Sequence, residues 1–192
     1  MRKGLVLGGL TMLAALLLLR GCSLLSDRPK RDCPIRELVL DEAPFPQGAR
    51  ADKVYSPVYR DAPTESAGRT ISLEKGFADH DVYRYQSARI AARKFEDEKE
   101  TRFLPAGTWT TPDALDYRSP IADEYYVACG MSGNIYLCEM LARYEEYYVL
   151  FFAHMARDTM WYEDFERVVS AIDERMASCL GKNALLTPRA QP

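Results

Sequence analysis

Two cysteines on either side of a turn place the strongest constraint on how this chain can fold. Cys129 and Cys138 lie in two strand-like runs, and Gly133-Asn134 stands midway between them. Gly-Asn is a pair typical of two-residue hairpin turns. With the turn there, Cys129 faces Cys138 at a Cα separation of about 4.5–5.5 Å, which a disulfide tolerates. We predict this bridge; the alternative is two free thiols stacked on a buried face of the sheet.

The first residues have the layout of a secretory signal. Arg2 and Lys3 precede an uncharged run from Gly4 to Leu19. As a helix the run is about 24 Å long at roughly 1.5 Å per residue, slightly short for a hydrocarbon core of about 30 Å. A basic start and a short apolar core are typical of exported proteins. Residues 1–21 are therefore predicted to be a signal peptide or a membrane anchor.

At its end this segment resembles the bacterial lipoprotein signal. Leu19, Gly21 and Cys22 occupy the positions of its aliphatic residue, its small residue and its lipidated cysteine. The resemblance implies attachment of diacylglyceryl to the Cys22 sulfur, cleavage before it, and acylation of the new amine with a fatty acid such as palmitate. Arg20 departs from the pattern, so an uncleaved anchor and a cleaved, released protein remain alternatives. We expect a membrane-anchored, extracytoplasmic protein of the cell envelope whose N-terminus contacts membrane lipid.

Lipidation of Cys22 makes the remaining number of cysteines even. Four are left, namely Cys33, Cys129, Cys138 and Cys179. An even number in an exported protein suggests disulfides, and four cysteines allow three pairings. The hairpin bridge leaves Cys33 to pair with Cys179. No cysteine spacing matches a structural zinc site, and we predict neither a metal nor another cofactor.

Composition indicates a globular domain and disfavours one class of partner. The 192 residues suffice for one domain, and 47% hydrophobic with 28% charged residues is typical of a folded chain. Residues 1–21 hold three of the 25 basic residues and none of the 28 acidic ones, so the rest carries a net −6. Binding to nucleic acid needs clustered Lys and Arg, so no nucleic-acid partner is expected.

Two apolar stripes predict helices. The first has helical spacings, with Asp79 or Asp81 as the cap at its start and Pro105 after its end. Its members are Val82, Tyr85, Ala88, Ala92, Phe95 and Phe103. The second runs from about Tyr162 to Leu180, with Gly181 placed as the C-cap.

Strand signals occur before and after the first helix. The stronger ones predict a meander of three antiparallel strands at roughly 121–129, 135–143 and 146–154. Weaker ones lie at 35–40, 54–59 and 69–77. The predicted fold class is α+β: an antiparallel sheet with a three-strand meander, packed by a mid-chain and a C-terminal helix.

These elements define the domain organisation. Residues 22–34 are predicted to be a tether, 35–181 a single α+β domain and 182–192 a flexible tail. With its early Pro46-x-Gly48, the order of elements loosely resembles small exported α+β domains such as PsbP-like domains and the sensor ectodomains of some receptor kinases. The resemblance implies binding or scaffolding more than catalysis.

The meander is rich in tyrosine. Neighbouring tyrosines on a strand point to opposite faces, so one face packs under helices and the other presents rings unless the N-terminal strands cover it. Exposed tyrosines make good contacts with proteins or glycans, whereas cross-strand pairing of the rings stabilises a sheet. The candidate binding residues are Tyr125, Tyr126, Tyr136, Tyr147 and Tyr148.

Residues suited to catalysis are sparse. His154 with Asp158 offers too few ligands for a metal, and a nucleophilic pair of Cys138 with His154 is excluded if Cys138 is bridged. Adjacent acids such as Glu145-Glu146 fall at predicted turns. We therefore expect a non-enzymatic module that binds a protein, peptide or envelope component. The alternatives are a structural or accessory subunit of an envelope complex and a hydrolase with an unrecognised carboxylate site.

Overall fold

A seven-stranded antiparallel sheet organises the part of the chain that the computed structural model describes, residues 31–58, 62–104 and 108–183. Its strands, in the spatial order β1-β2-β3-β7-β6-β5-β4, are β1 Arg50–Ala51, β2 Glu65–Ser72, β3 Phe77–Arg84, β4 Trp109–Thr110, β5 Glu124–Ser132, β6 Ile135–Tyr144 and β7 Tyr147–His154. The helices are α1 Ile35–Leu38, α2 Ala88–Arg102 and α3 Tyr162–Leu180. The α+β class and the meander β5-β6-β7 are confirmed.

The β5–β6 hairpin has the predicted register. Gly133 and Asn134 form its turn, and Gly133 has a φ of +62°, which glycine adopts without steric cost. Cys129 lies opposite Cys138 with their Cα atoms 4.0 Å apart, and the two form a disulfide. Both cysteines belong to the core between the sheet and α3.

The sheet carries packed elements on both faces, because alternate side chains of each strand point to opposite sides. α3 and residues 35–45 pack on one face, called here the α3 face, against residues such as Val82, Val149 and Phe151. α2 packs on the other, called the α2 face, against residues such as Leu141 and Tyr148. The apolar stripe of α3 is wide and buries a long row of side chains, so this helix forms the larger core.

The mid-chain helix begins later than predicted. Val82 is a residue of β3, Tyr85 lies in the link after it, and α2 starts after Ser87, whose side chain caps the first turn. The expected caps Asp79 and Asp81 lie on β3 instead. The predicted start was wrong because Val82 and Tyr85 are buried for other reasons, one in a strand and one in the link after it. Their positions in the sequence happen to continue the helical spacing of the apolar residues of α2.

Residues 35–40 do not form the predicted strand. They form α1 and the start of a segment that crosses the α3 face, called here the strap (residues 35–45). Arg175 holds the strap by donating hydrogen bonds to the carbonyl oxygens of Glu37 (3.0 Å) and Val39 (3.1 Å). The apolar residues of the strap pack on the α3 face of the sheet. The edge strand is therefore β1 and not the strap. The edge strand expected near Val54 is reduced to one bridge, between Tyr55 and Gly68.

The segment expected to be a tether is attached to the domain from Arg31 onward. The Arg31 guanidinium pairs with Glu145 and Glu146 in the β6–β7 turn. Cys33 forms the second disulfide with Cys179, with a Cα–Cα distance of 5.5 Å, as the pairing predicted. Residues 1–21, Cys22 and the tail from residue 184 lie outside the described residues. Within the described ranges, no helix combines the length and the apolar character needed to cross a membrane.

The two ends of the sheet carry different features. The β6–β7 turn lies at one end, together with Arg31 and the Cys33–Cys179 disulfide; this is called the proximal end. The β5–β6 and β2–β3 turns lie at the opposite end, called the distal end. β6 has 10 residues, which makes the two ends about 33 Å apart at roughly 3.3 Å per residue.

Candidate functional site

The five candidate tyrosines differ in exposure. Tyr147 is 1% exposed and packs under α3, while Tyr148 is 0% exposed and packs under α2. Neither ring is available to a partner. Tyr125, Tyr126 and Tyr136 are half-buried. The second face does not present a row of tyrosine rings, because α2 covers the middle of that face while α3 covers the other.

Tyr126 is held by α2. Its ring centroid lies 4.9 Å from that of Phe103, and the Lys99 ammonium lies 5.6 Å from its ring centroid. These contacts are those of a residue that packs a helix on a sheet, with a cation over the exposed ring face.

Tyr136 belongs to a cluster at the distal end, the tip patch, which consists of Met131, Tyr136, Trp161 and Tyr162. The hydroxyls of Tyr136 and Tyr162 are 2.8 Å apart, and the Trp161 ring lies 4.5 Å from the Tyr162 ring. Met131 lies opposite Tyr136 on the α3 face of the hairpin and is 55% exposed, whereas Ile135, which is 43% exposed, points to the α2 face. Burial, followed by the hydrogen bond with Tyr162, raises the pKa of Tyr136 to about 12, so its hydroxyl keeps its proton at neutral pH.

Tyr125 lines a shallow cleft between β5 and α3, the tyrosine cleft. Its walls are Leu115, Tyr117, Arg118, Tyr125, Val127, Phe165 and Glu166, and it is too shallow to enclose a water molecule. The rings of Tyr117 and Tyr125 are edge to face, with centroids 6.3 Å apart. Burial and the negative charge of Asp173 raise the pKa of Tyr125. Pockets for drug-sized ligands and cofactors enclose about 300 Å³ or more, so this cleft is not a pocket for a ligand of that kind.

A buried carboxylate lies behind the cleft. Asp173 accepts hydrogen bonds from the hydroxyls of Tyr144 (2.6 Å), Tyr117 (2.7 Å) and Ser119 (2.9 Å). Burial raises the pKa of Asp173, and the three hydroxyl donors oppose that rise. The network joins α3, β6 and the segment that carries Tyr117, and it fixes the Tyr117 ring in the cleft wall.

Sequence reasoning missed Asp173 and the residues that gather around it. Its signal is an acidic residue inside the apolar stripe of α3, beside Ile172 and three positions before Met176. A carboxylate on a buried helix face requires hydrogen-bond partners, so its position alone indicates a polar network. The partners themselves lie at least 29 residues away in the chain and leave no local pattern.

His80 forms a second buried polar centre, on the α3 face under the strap. Its Nδ1 accepts the Leu40 N–H at 3.1 Å, and Arg69 donates to the Leu40 carbonyl oxygen at 3.1 Å. Burial, with the charges of Arg175 and Arg69, lowers the pKa of His80 to about 3. His80 is therefore neutral at physiological pH and acts as an acceptor that holds the strap.

The adjacent acidic residues Glu145 and Glu146 are engaged in ion pairs. Glu146, only 4% exposed, accepts hydrogen bonds from Arg31 and from Arg84, the latter at 3.2 Å. This cluster joins the N-terminal segment to the β6–β7 turn. Burial and two arginine partners identify Glu146 as a structural charge.

Asp79 and Asp81 are two carboxylates on the α2 face that have no salt bridge within the described residues. Thr70 donates to Asp79 at 2.5 Å, and the hydroxyls of Tyr55 and Tyr83 each donate to Asp81 at 3.0 Å. Burial raises the pKa of both aspartates. They project from one strand, whereas glycoside hydrolysis places its two carboxyl groups on opposite sides of the scissile bond.

In the described part of the chain, no group of three or more His, Cys, Asp and Glu side chains could hold a metal ion. No family model, no curated protein and no solved structure matches this chain. The tip patch, with its exposed Met131, is the candidate functional surface among the described residues.

Proposed function

We propose that this protein is a membrane-tethered extracytoplasmic lipoprotein whose domain binds a protein partner through the tip patch and has no enzymatic activity. The observation that carries the proposal is the exposure of Met131 beside Tyr136, whose ring belongs to one cluster with Trp161 and Tyr162. Exposed apolar side chains clustered with Tyr and Trp are typical of protein contact surfaces, because these rings contribute large contact area at low entropic cost.

The position of the tip patch supports a tethered binding role. The chain enters the domain at Arg31, at the proximal end, about 33 Å from the tip patch at roughly 3.3 Å per strand residue. An anchor that precedes Arg31 therefore does not compete with the patch for space. The two disulfides support export, since such bonds persist in oxidising compartments.

Site-specific photo-crosslinking in intact cells tests the binding proposal. A photoreactive amino acid at Met131 should give a protein adduct of defined mass. The same amino acid at Arg93, which is exposed on α2, serves as the matched control and should not give that adduct. Adding Trp161→Ala to the Met131 probe should reduce the adduct about tenfold, because the loss of a large aromatic contact weakens a protein interface. Equal yields at Met131 and Arg93 would contradict the proposal.

Metabolic labelling with an alkyne analogue of palmitate tests the anchor. Label should appear on the full chain in the membrane fraction and disappear in Cys22→Ser, which keeps the four disulfide cysteines. Retention of label in Cys22→Ser would refute lipidation at this residue. Unchanged migration and membrane association of an unlabelled chain would indicate an uncleaved anchor instead.

A further inference from the structure

We infer that the end of the β5–β6 hairpin enters a concave, uncharged groove on the protein partner, and that the partner contacts both faces of the hairpin. This inference rests on the proposed binding function and extends the contact beyond the tip patch, which lies on the α3 face alone. Three features of the hairpin end, residues 131–135, carry it: exposed apolar side chains on both faces, the lack of charge, and a fixed conformation.

Apolar side chains project from both faces of the hairpin end. Met131 lies opposite Tyr136 on the α3 face, and Ile135 lies opposite Ser132 on the α2 face. Met131 is 55% exposed and Ile135 is 43% exposed. A flat partner surface would cover one of these two side chains and leave the other in water, because they point in opposite directions. A groove that admits the hairpin end covers both.

The α2 face has its own apolar surface behind Ile135. Leu137, two residues further along β6, is on the same face and lies opposite Gly130 of β5. The half-buried Trp109 ring packs over Gly130, where an added Cβ would lie 2.8 Å from it. The side of the hairpin that carries Ile135 therefore presents an apolar surface to the second wall of the groove.

The hairpin end differs in charge from the other hairpin turns of the sheet. No charged residue occurs between Glu124 and Glu139, in a chain in which 28% of the residues are charged. The β2–β3 turn, by contrast, contains Glu74-Lys75, and the β6–β7 turn is Glu145-Glu146. Charged side chains resist burial in a contact, and the centres of protein interfaces are depleted of them. An uncharged hairpin end is therefore complementary to an uncharged groove.

The hairpin end has a fixed conformation. The disulfide between Cys129 and Cys138 joins the two strands directly behind it. The two-residue turn of Gly133 and Asn134 connects the strands, and β4 pairs with β5 at Gly130 on the outer side. A segment that is ordered in advance loses little entropy on binding. The hairpin end can therefore enter a groove without refolding.

The dimensions of the hairpin end set those of the groove. A layer of strands with its side chains is about 10 Å thick, which is the spacing at which stacked sheets pack. The groove is therefore about 10 Å wide, with two apolar walls that face each other. One wall contacts Met131 and the tip patch, and the other contacts Ile135.

The charges near the hairpin end favour a protein over a lipid surface. Anionic lipid headgroups attract clustered Lys and Arg. The exposed charges of the two adjacent turns balance instead, since Glu74 and Asp158 accompany Lys75 and Arg157. Lys75 forms a salt bridge with Asp158, and the Arg157 guanidinium lies 5.2 Å from the centroid of the Trp161 ring. These turns therefore provide no cationic surface for lipid.

Photo-crosslinking from both faces of the hairpin end tests the inference. A photoreactive amino acid is placed at Met131 or at Ile135 of the full chain in intact cells, and each adduct is purified, digested and analysed by mass spectrometry. Both probes should capture the same partner but crosslink to different peptides of it, because they face opposite walls of one groove. A probe at Glu74, which is exposed in the neighbouring β2–β3 turn, is the control and should not capture this partner.

The two proposals fail separately in this experiment. If Met131 captures a protein and Ile135 does not, the partner contacts one face only, so the inference is wrong and the binding function stands. Crosslinks from both probes to the same peptide would also overturn the inference. An adduct with a lipid, or with a second copy of this chain, at Ile135 would overturn it as well. If neither probe captures a protein, the binding function itself is wrong.

Substitutions at Ile135 test whether the two faces act in one contact. With the probe at Met131, Ile135→Asp should reduce the adduct about tenfold, because a charge on the opposite face opposes closure of the groove. Ile135→Thr keeps a β-branched residue suited to a strand and should reduce the adduct about threefold. Glu74→Ala is the control and should leave the yield unchanged. An unchanged yield in both Ile135 variants, with the urea midpoint of the wild type, would show that the α2 face is outside the contact.

Discussion

At the scale of single residues, the domain depends on two buried polar groups. Asp173 receives three hydroxyl donors that come from β6 and from the segment before β5. His80 receives one backbone N–H from the strap. Asp173 exchanges water for protein donors, and so does His80 Nδ1, whereas His80 Nε2 has no hydrogen-bond partner among the described residues. A change in the partners or in the charge state of either group therefore costs stability.

Replacement of Asp173 by alanine should lower the free energy of unfolding by about 3–5 kcal/mol, because three hydroxyls, one of them fully buried on Tyr144, lose a charged acceptor. Urea denaturation followed by circular dichroism measures the change. Glu174→Ala is the control, since Glu174 is the exposed neighbour on the same helix, and it should change stability by less than about 0.5 kcal/mol. A loss below about 1 kcal/mol in Asp173→Ala would show that the network is dispensable.

A fall in pH should lower the free energy of unfolding through the titration of His80. The folded-state pKa is lowered to about 3 from 6.5, so the unfolded chain binds the proton first as the pH falls. The stabilising contribution of neutral His80 is complete above pH 6.5 and is lost between about pH 6.5 and pH 3. From pH 7.5 to pH 5 the loss is about 2 kcal/mol at about 1.4 kcal/mol per pH unit.

Comparison with His80→Gln isolates this effect. The raised pKa values of Asp79, Asp81 and Asp173 work in the opposite direction, since these groups favour the folded state as they become protonated in acid. These three aspartates are present in both proteins, so their contribution cancels in the comparison. The stability advantage of the wild type over His80→Gln should therefore shrink by about 2 kcal/mol between pH 7.5 and pH 5. A constant difference across this range would contradict the assignment of His80 as a neutral acceptor.

At the scale of elements, two glycines of the β5–β6 hairpin have different roles. Gly133 has a positive φ and no atom within 4 Å of an added Cβ. A Cβ on Gly130 would instead lie 2.7 Å from the Thr108 carbonyl oxygen and 2.8 Å from the Trp109 ring. The first glycine is needed for the turn, and the second lets β4 approach β5.

Alanine at these two positions should therefore have unequal effects. Gly133→Ala should cost about 1 kcal/mol, the penalty of a left-handed conformation for a residue with a Cβ. Gly130→Ala should cost more, about 2–3 kcal/mol, because backbone of the neighbouring segment must move. Urea denaturation compares them, and the tryptophan fluorescence change should be larger for Gly130→Ala. Equal costs would mean that β4 moves freely away from β5.

At the scale of the whole molecule, the two disulfides constrain the chain to different extents. The Cys129–Cys138 bond joins residues nine positions apart within one hairpin. The Cys33–Cys179 bond joins residues 146 positions apart and links the N-terminal and C-terminal segments of the domain. In the chain-entropy account, a cross-link stabilises more when it closes a longer loop of the unfolded chain.

Double variants that keep one bond each should show this difference. Cys33→Ala/Cys179→Ala keeps the hairpin bond, and reduction should lower its stability by about 3 kcal/mol. Cys129→Ala/Cys138→Ala keeps the long-range bond, and reduction should lower its stability by about 5 kcal/mol. The oxidised and reduced forms of the same variant are compared. The side-chain contacts removed by the alanine substitutions are absent from both forms and therefore cancel in the difference. A larger effect of the hairpin bond would contradict the entropic account for this protein.

Features encoded within a short stretch of chain could be predicted from the sequence. The β5–β6 register follows from a two-residue turn, and the end of α3 follows from Gly181, which has a φ of +70°. The Cys33–Cys179 pair follows once the hairpin bond is assigned. These predictions succeed because turn and cap residues act on their own backbone, without contacts from elsewhere.

What the tertiary structure alone decided is which surfaces remain open and which polar groups meet. Burial of Tyr147 and Tyr148 and partial exposure of Tyr125 and Tyr136 depend on how far each helix reaches across the sheet. Asp173 meets its hydroxyl donors only because the sheet and α3 pack together. These outcomes depend on how elements that are distant in the sequence pack on the same apolar surface. A local sequence pattern therefore does not predict them.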